Sequence, residues 1–230
     1  SNTDGSITSS VSANTTSGFS IVSWTGSGAN ATIGHSLGAV PKMIIIRRRT
    51  GSTTNWIVYH ESIGNNNELF LNLTNASTSS TRFQSTSPTS SVFSVSSNSA
   101  VNESSQSIIA YCFADTSMSK MGSYTGNGNA DGTFVYTGFK PAFVMLKNTT
   151  RAASWLMYDN KRLGYNVDNN ELVANASAAE ETYDQIDILS NGFKMRANGT
   201  STNLNGDTYI YMAFAENPFV ASNFNAATAR

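Results

Sequence analysis

Trp24-Thr25-Gly26-Ser27-Gly28 and Tyr124-Thr125-Gly126-Asn127-Gly128 are two versions of one segment, an aromatic residue followed by Thr-Gly-x-Gly. Each is followed by a second shared segment, Gly38-Ala39-Val40-Pro41 in the first half and Gly138-Phe139-Lys140-Pro141 in the second. The glycines suit tight connections with positive φ, and a proline suits the start of a strand, where its missing N–H costs least. Self-similarity in one order along the chain predicts a tandem duplication.

The register continues to the end of both halves. It matches Met43–Ile46 with Phe143–Leu146, Trp56–Tyr59 with Trp155–Tyr158, Asn66–Leu69 with Asn169–Leu172, Val92–Val95 with Gly192–Met195, and Ile109–Ala114 with Ile210–Ala215. These runs are about 4–7 residues long and rich in β-branched and aromatic residues, which is typical of buried strands. The sequence therefore predicts an all-β chain with two homologous antiparallel β-sandwich domains, jelly-roll-like in their connections.

The repeats also predict where the domains begin and end. We expect a flexible arm at 1–17, the first sandwich at 18–114, a linker at 115–120, the second sandwich at 121–217 and an extended tail at 218–230. The one segment with moderate helical character is Glu171–Glu181, and its Ser/Thr-rich counterpart in the first copy favours a loop or a single short helix.

Composition limits the function classes. The net charge is −1, which argues against nucleic acid or an anionic membrane as an electrostatic partner. About a quarter of the residues are Ser or Thr, a surface typical of secreted, fibrous and virion β proteins. No apolar run is long enough for a transmembrane helix, so we expect no membrane insertion. The single cysteine, Cys112, lies in an apolar run and is interpreted as a buried hydrophobe.

Candidates for catalysis are few. The two histidines, His35 and His60, align with Val135 and Asp159, so no histidine is repeated between the copies. The carboxylate pairs Asp184/Asp187 and Glu180/Glu181 could serve glycoside hydrolysis, but solvation of a polar loop is the simpler interpretation. The Asn-Asn-Glu segments could present oxygen atoms to Ca²⁺, but asparagine-rich segments most often form turns, and we prefer that interpretation. We therefore expect a non-enzymatic protein with no cofactor and no metal.

Binding candidates come from the two Trp-x-x-Tyr strands. Alternation places Trp56 on one face with Val58 and His60, and it places Trp155 on one face with Met157 and Asp159. Ile57 and Tyr59, like Leu156 and Tyr158, share the other face, and we expect the face that ends in His60 or Asp159 to be the one that reaches solvent. A partly open tryptophan beside hydroxyl-rich loops could stack on a sugar, whereas a tryptophan buried at the rim of a sandwich explains the same pattern. The binding candidates are Trp56, His60, Trp155 and Asp159.

The chain resembles a known family through Ser123–Gly128, Tyr136–Met145, Leu189–Arg196 and Tyr209–Glu216, with Thr32–Gly38 and Ala110–Ala114 in the first copy. The family is a domain of unknown function found in virion-associated proteins of marine bacteriophages. The resemblance implies a tail- or fibre-type virion protein and supplies no catalytic or binding residues. The chain begins Ser1-Asn2-Thr3 without a methionine, so we expect a processed chain or a piece of a longer fibre.

These observations predict a structural protein of the virion, of tail-fibre or receptor-binding type, that contacts host-surface glycan or protein. We expect it to bind other virion subunits and to form a homo-oligomer; trimers are common in fibres, but nothing in the sequence fixes the symmetry. A capsid decoration protein bound through the arm is the alternative. A polysaccharide depolymerase is a third hypothesis.

Overall fold

The computed structural model describes residues 1–162, 166 and 170–216. The chain divides into two compact units, Ser1–Asp115 and Thr116–Arg230, and nearly all of their regular structure is antiparallel β-sheet. The all-β class is therefore confirmed. The division falls inside the segment predicted as a linker, although residues from Ser119 onward already belong to a strand. The tail predicted at 218–230, like residue 217, lies outside the described residues.

The first unit contains nine strands and two short helices. They are β1 (Ser10–Asn14), β2 (Phe19–Thr25), β3 (Ala31–Gly34), β4 (Met43–Arg48), β5 (Ile57–His60), a 3-10 turn (Glu61–Ile63), β6 (Asn67–Phe70), β7 (Thr78–Ser79), β8 (Val92–Val95), α1 (Ser99–Asn102) and β9 (Ser107–Phe113). Seven strands form one sheet in the order β1-β2-β9-β4-β5-β6-β7, and β3 pairs with β8 in a second sheet.

The core of the first unit lies between these two sheets. Strand β9 alternates strictly, so Ile108, Ala110 and Cys112 point inward and join Phe93 of β8 in a single apolar cluster. Period-2 alternation of this kind is what a strand needs when only one of its faces meets the core. Cys112 is fully buried, and burial raises the pKa of its thiol to about 12. Its interpretation as a buried hydrophobe is confirmed.

Residues 1–17, predicted as a flexible arm, are instead paired with the first unit. Ser10–Asn14 forms the edge strand β1 against β2, and Ile7 forms a parallel bridge with Ile33 of β3. The side chains of Ile7 and Val11 pack against the core. Because the apolar residues of this segment are few and separated by serines, its strand character is weak in the sequence and is fixed by tertiary pairing.

The second unit has nine strands among its described residues. They are β10 (Ser119–Thr125), β11 (Phe134–Tyr136), β12 (Pro141–Asn148), β13 (Trp155–Asp159), β14 (Asn170–Val173), β15 (Glu181–Thr182), β16 (Ile186–Leu189), β17 (Gly192–Met195) and β18 (Thr208–Ala215). One sheet has the order β10-β18-β12-β13-β14-β15, and the other has the order β11-β17-β16.

The core of the second unit also lies between its two sheets. Val144 and Leu146 of β12 meet Phe193 of β17 and Tyr209 of β18 in one buried cluster. The segment Glu171–Glu181, which had the most helical character in the sequence, contains no helix: its first residues belong to β14 and its last begins β15. Leu172 pairs with Met157 of β13, so strand pairing overrides the local helical propensity of the alanines.

Candidate functional site

Trp56 stands immediately before β5 and keeps part of its ring exposed. Its neighbours Ile57 and Tyr59 point into the core of the first unit, as the alternation predicts. The guanidinium carbon of Arg47 lies 5.5 Å from the centre of the Trp56 ring, and the Tyr111 ring stacks on it with centroids 6.4 Å apart. A cation over an indole contributes about 0.5–1 kcal/mol at such a site. The ring is therefore already partnered by the protein.

His60 performs a structural task. Its Nδ1 accepts a hydrogen bond of 3.1 Å from the backbone N–H of Ser62 and so caps the 3-10 turn that begins at Glu61. The side chain is 1 % exposed. The expectation that the face ending in His60 reaches solvent is therefore wrong for this residue.

Asp159 has the same task in the second unit. Its Oδ1 accepts hydrogen bonds from the backbone N–H groups of Lys161 (2.8 Å) and Arg162 (2.9 Å), and Oδ2 pairs with the Arg162 guanidinium. Trp155 is 1 % exposed, and its backbone N–H donates to Asn175 Oδ1 at 2.7 Å. A ring this deeply buried offers no face to a sugar. Of the four binding candidates, Trp56 alone keeps exposed ring surface.

His35 is a buried neutral side chain. Its Nδ1 accepts the N–H of Leu37 at 3.2 Å, which leaves Nε2 to donate to the carbonyl oxygen of Thr89 at 3.1 Å. Burial lowers the pKa of His35 below its usual value of 6.5, and the Thr89 hydrogen bond opposes this only in part. The ring is fully buried, so it fixes the loop around Thr89 and has no access to a substrate.

One carboxylate of each candidate pair is held by an arginine. Asp187 pairs with Arg196 at 3.3 Å, and Glu180 pairs with Arg162 and with the amide of Asn170. These contacts fit the interpretation of surface solvation.

The buried carboxylates Glu68 and Glu171 belong to the two Asn-Asn-Glu segments. Glu171 accepts hydrogen bonds from the Tyr158 hydroxyl (2.6 Å) and Gln185 (2.8 Å), while Glu68 accepts from Ser80 and pairs with Arg82. Burial raises the pKa of Glu171 above its usual range, although the Tyr158 hydrogen bond opposes this. Both carboxylates accept hydrogen bonds from protein donors. The described residues contain no group of three or more His, Cys, Asp or Glu placed to hold a metal. Asp168 and Asn169 lie outside the described residues.

An open depression of about 510 Å³ in the first unit is lined only by uncharged amides and hydroxyls. It lies beside Gln84 and Ser85, two consecutive residues with φ of +53° and +50°. A left-handed conformation costs a residue other than glycine about 1–2 kcal/mol, so the turn needs anchors. The Gln84 amide supplies one by donating to the carbonyl oxygens of Ala31 (3.0 Å) and Val95 (2.7 Å). The depression is therefore preformed.

The hydroxyl groups on the wall of this depression remain available. Those of Thr81, Ser85 and Ser97 have no hydrogen-bond partner among the described residues. Sequence reasoning missed this site because a Ser/Thr-rich segment predicts a loop but says nothing about the shape that the loop adopts.

A second feature missed from the sequence is a pair of exposed aromatic side chains in the second unit. Phe134 is 45 % exposed and Tyr136 is 65 % exposed, while Val135 between them is buried. Three consecutive apolar residues are typical of a strand buried on both faces, so no pattern in the sequence indicates that one face is open. Phe134 and Tyr136 share that open face.

No helix among the described residues is long and apolar enough to cross a membrane.

The comparisons with known proteins place the chain in a family. The family model described as a domain of unknown function, DUF7483, matches residues 1–218. The chain belongs to this family. The DUF7483 match spans both units and includes the first 17 residues, in agreement with their pairing to the first unit. No curated protein and no solved structure matches the chain significantly.

Proposed function

We propose that this DUF7483 chain is a non-enzymatic structural protein of a phage virion, of tail-fibre or receptor-binding type, that contacts host-surface glycan or protein. The observation that carries the proposal is the preformed depression beside Gln84 and Ser85, whose lining has hydroxyls and amides and no charged group. Such groups donate and accept hydrogen bonds and suit the recognition of another hydroxylated surface. The sequence resemblance to virion proteins of marine phages supports the same proposal.

We further propose that the two units are tandem copies of one β-sandwich. Matching hydrogen bonds support this: Gly26 N–H donates to Gln106 and Gly126 N–H donates to Asp207, both at 2.9 Å. The N–H groups of Trp56 and Trp155 each donate to an asparagine Oδ1. Hydrogen bonds at matched positions are a stricter criterion for duplication than sequence similarity, because they require the same backbone conformation. The jelly-roll-like connection stays a prediction.

The two glycines at the start of the shared segment give independent support. A side-chain carbon on Gly26 would overlap the carbonyl of Glu103, and one on Gly126 would overlap the carbonyl of Leu204. The preceding residues, Asn102 and Asn203, are fully buried in both units. The same close approach, beside the same buried amide, is expected of duplicated scaffolds and not of unrelated ones.

Under this proposal, the residue of the second unit that corresponds to His35 differs from the one that the sequence alignment gives. The N–H of His35 donates to Ser91 O, and the N–H of Thr137 donates to Asn191 O, so the hydrogen bonds pair His35 with Thr137 and not with Val135. Thr137 Oγ1 accepts from the N–H two residues later, as His35 Nδ1 does. His35 and Thr137 perform the same structural task in their units, which supports a structural role for His35 and not a catalytic one.

The alternatives lose part of their support. The capsid decoration hypothesis rested on an extended arm, but Ser10–Asn14 pairs with β2. The depolymerase hypothesis needs a free carboxylate pair, and Asp187 and Glu180 are paired with arginines.

Electron microscopy of virions labelled with antibodies to the chain tests the proposed location. We expect label at the tail tip; label on the capsid faces would contradict the receptor-binding proposal and support a decoration protein. Incubation of the purified chain with host envelope polysaccharide is expected to release no oligosaccharide, and release would establish an enzyme. Light scattering of the purified chain tests the proposed homo-oligomer, of which a trimer is one form, and a monomeric mass would contradict it.

A further inference from the structure

The open face of the smaller sheet in the second unit carries two aromatic rings on one strand. Phe134 and Tyr136 are two residues apart on β11, so their side chains leave the same face about 6.6 Å apart. Val135 points into the core and fixes the strand. The rings are therefore held in place by a buried neighbour while their own surfaces meet solvent.

A buried glycine stands opposite Tyr136. It is Gly192 of β17, and the residue opposite Gly192 on β16 is Leu189. A side-chain carbon on Gly192 would overlap the carbonyl oxygen of Val135 and lie 3.2 Å from the Phe134 ring. Glycine at this position therefore lets the Phe134 ring lie against the backbone of β17.

Charged side chains border this surface and are paired with each other. Lys194, directly opposite Phe134, pairs with Asp131, and Arg196 pairs with Asp187 at 3.3 Å. The charges of these two ion pairs cancel, and Asp184 adds one carboxylate near Asp187. The border offers both donors and acceptors, so it complements a neutral ligand that carries hydroxyl groups.

The matching surface of the first unit is covered by the chain itself. There, Thr32 and Gly34 of β3 stand opposite Ser94 and Val92 of β8. Ile7 N–H donates to Thr32 O at 3.2 Å, and the side chain of Asn2 lies where a Cβ of Gly34 would be. Close passage of a peptide segment therefore depends on a small residue at position 34.

The second unit has a large ring at that position. If the units are tandem copies, Tyr136 corresponds to Gly34 and Phe134 to Thr32. A strand that followed the path of residues 2–9 would collide with these rings. The surface is suited to a flat ligand that lies on the rings and not to an added peptide strand.

We infer that Phe134 and Tyr136 form a stacking platform for a neutral saccharide, with Lys194, Asp131, Asp187 and Arg196 as hydrogen-bonding partners for its hydroxyls. The inference rests on the proposed receptor-binding function and assigns it a ligand class and a site. The C–H face of a pyranose ring would lie on each aromatic ring.

The test is binding of the full chain to a printed array of neutral and acidic oligosaccharides and purified bacterial O-chains, followed by titration of the strongest ligand. We expect a neutral saccharide to bind, and we expect Tyr136→Ala and Phe134→Ala each to weaken it about tenfold, the range of a good contact residue. Tyr136→Phe keeps the ring and is expected to keep most of the affinity. Tyr183→Ala, which removes an aromatic residue 48 % exposed, is the matched control and should bind as the wild type does.

Two results would overturn the platform. One is the absence of binding to every saccharide on the array, and the other is unchanged affinity in both alanine variants. If Ser85→Ala weakens binding while Tyr136→Ala does not, the ligand lies in the depression of the first unit, and the receptor-binding function stands without the platform. Binding of acidic saccharides alone would also contradict the platform, because the cations of its border are paired with carboxylates. The location on the virion is measured separately, so failure of the proposed function is distinguishable from failure of this site.

Discussion

Replacing Asn102 by alanine should strongly destabilise the first unit. The Asn102 Oδ1 accepts from Trp24 Nε1 and from the backbone N–H of Ser27, both at 3.2 Å. Its Nδ2 donates to Ser27 Oγ at 3.0 Å and to Ala29 O at 2.6 Å. These four bonds fix the turn that follows Gly26.

The magnitude follows from what the substitution leaves behind. Trp24 is buried, so its indole N–H would lose its partner where water has little access, at a cost of about 1–3 kcal/mol. The groups of Ser27 and Ala29 are nearer to solvent, and their loss adds about 1 kcal/mol. We expect a total of about 3 kcal/mol, or a fall of about 10 °C in the melting temperature of a unit this size.

Scanning calorimetry and urea unfolding followed by circular dichroism measure this change. Asn75→Ala removes an exposed asparagine of the same unit and is the matched control, with a change expected below about 0.5 kcal/mol. Asn203→Ala should destabilise the second unit similarly, because its amide donates to Asn127, Asn129 and Ala197. A loss below about 1 kcal/mol for Asn102→Ala would refute the claim that this amide holds the turn.

Three further predictions address other parts of the scaffold. Gly126→Ala should destabilise the second unit by more than about 2 kcal/mol, because its Cβ would lie 2.8 Å from the Asn203 carbonyl carbon; urea unfolding measures this, and a neutral result would contradict the close approach. The pKa of His35 is lowered in the folded state, so the unfolded chain binds the extra proton as the pH falls below 6.5 and stability drops there. His35→Gln should flatten that part of the stability–pH curve, and an unchanged curve would assign the drop elsewhere. The Cys112 thiol should resist a thiol reagent at pH 8 until the chain unfolds, since burial raises its pKa to about 12; fast labelling of native protein would contradict this.

Strand positions and strand faces could be read from the sequence because they follow local periodicity. Ile57 and Tyr59 were assigned to the core face by alternation alone, and that assignment is confirmed. The burial of Cys112 in an apolar run was predicted for the same reason. Alternation reports which residues share a face, and it does so wherever a strand lies on a single core.

The sequence does not reveal which face stays open. His60 was expected on an exposed face and Trp155 was considered as a partly open ring, yet both are buried. The His60 ring is held in place because it caps a turn by accepting the backbone N–H of Ser62. Phe134 and Tyr136 lie in a run of three apolar residues, yet they are exposed. Long-range pairing decides these cases, as it does for Ser10–Asn14, whose partner strand β2 is fixed by tertiary structure and not by local propensity.

The buried amides Asn102 and Asn203 were missed for a related reason. Both lie in polar segments that predict loops, and asparagine is most often a turn residue. Their burial follows from the close approach of Gly26 and Gly126 on the neighbouring connection, which involves residues far apart in the sequence. A glycine at matched positions in the two proposed copies is the sequence signal that could have pointed to this packing.

Inhibition of phage adsorption tests the central claim most directly. Host cells are incubated with the purified chain, washed and exposed to the phage whose virion we propose it belongs to, with heat-unfolded chain as the control. If the chain contacts the host receptor, adsorption should slow in proportion to the chain that is bound, and Tyr136→Ala should inhibit less than Tyr183→Ala. Adsorption that proceeds at the same rate with folded chain, unfolded chain and buffer would contradict a receptor-binding function.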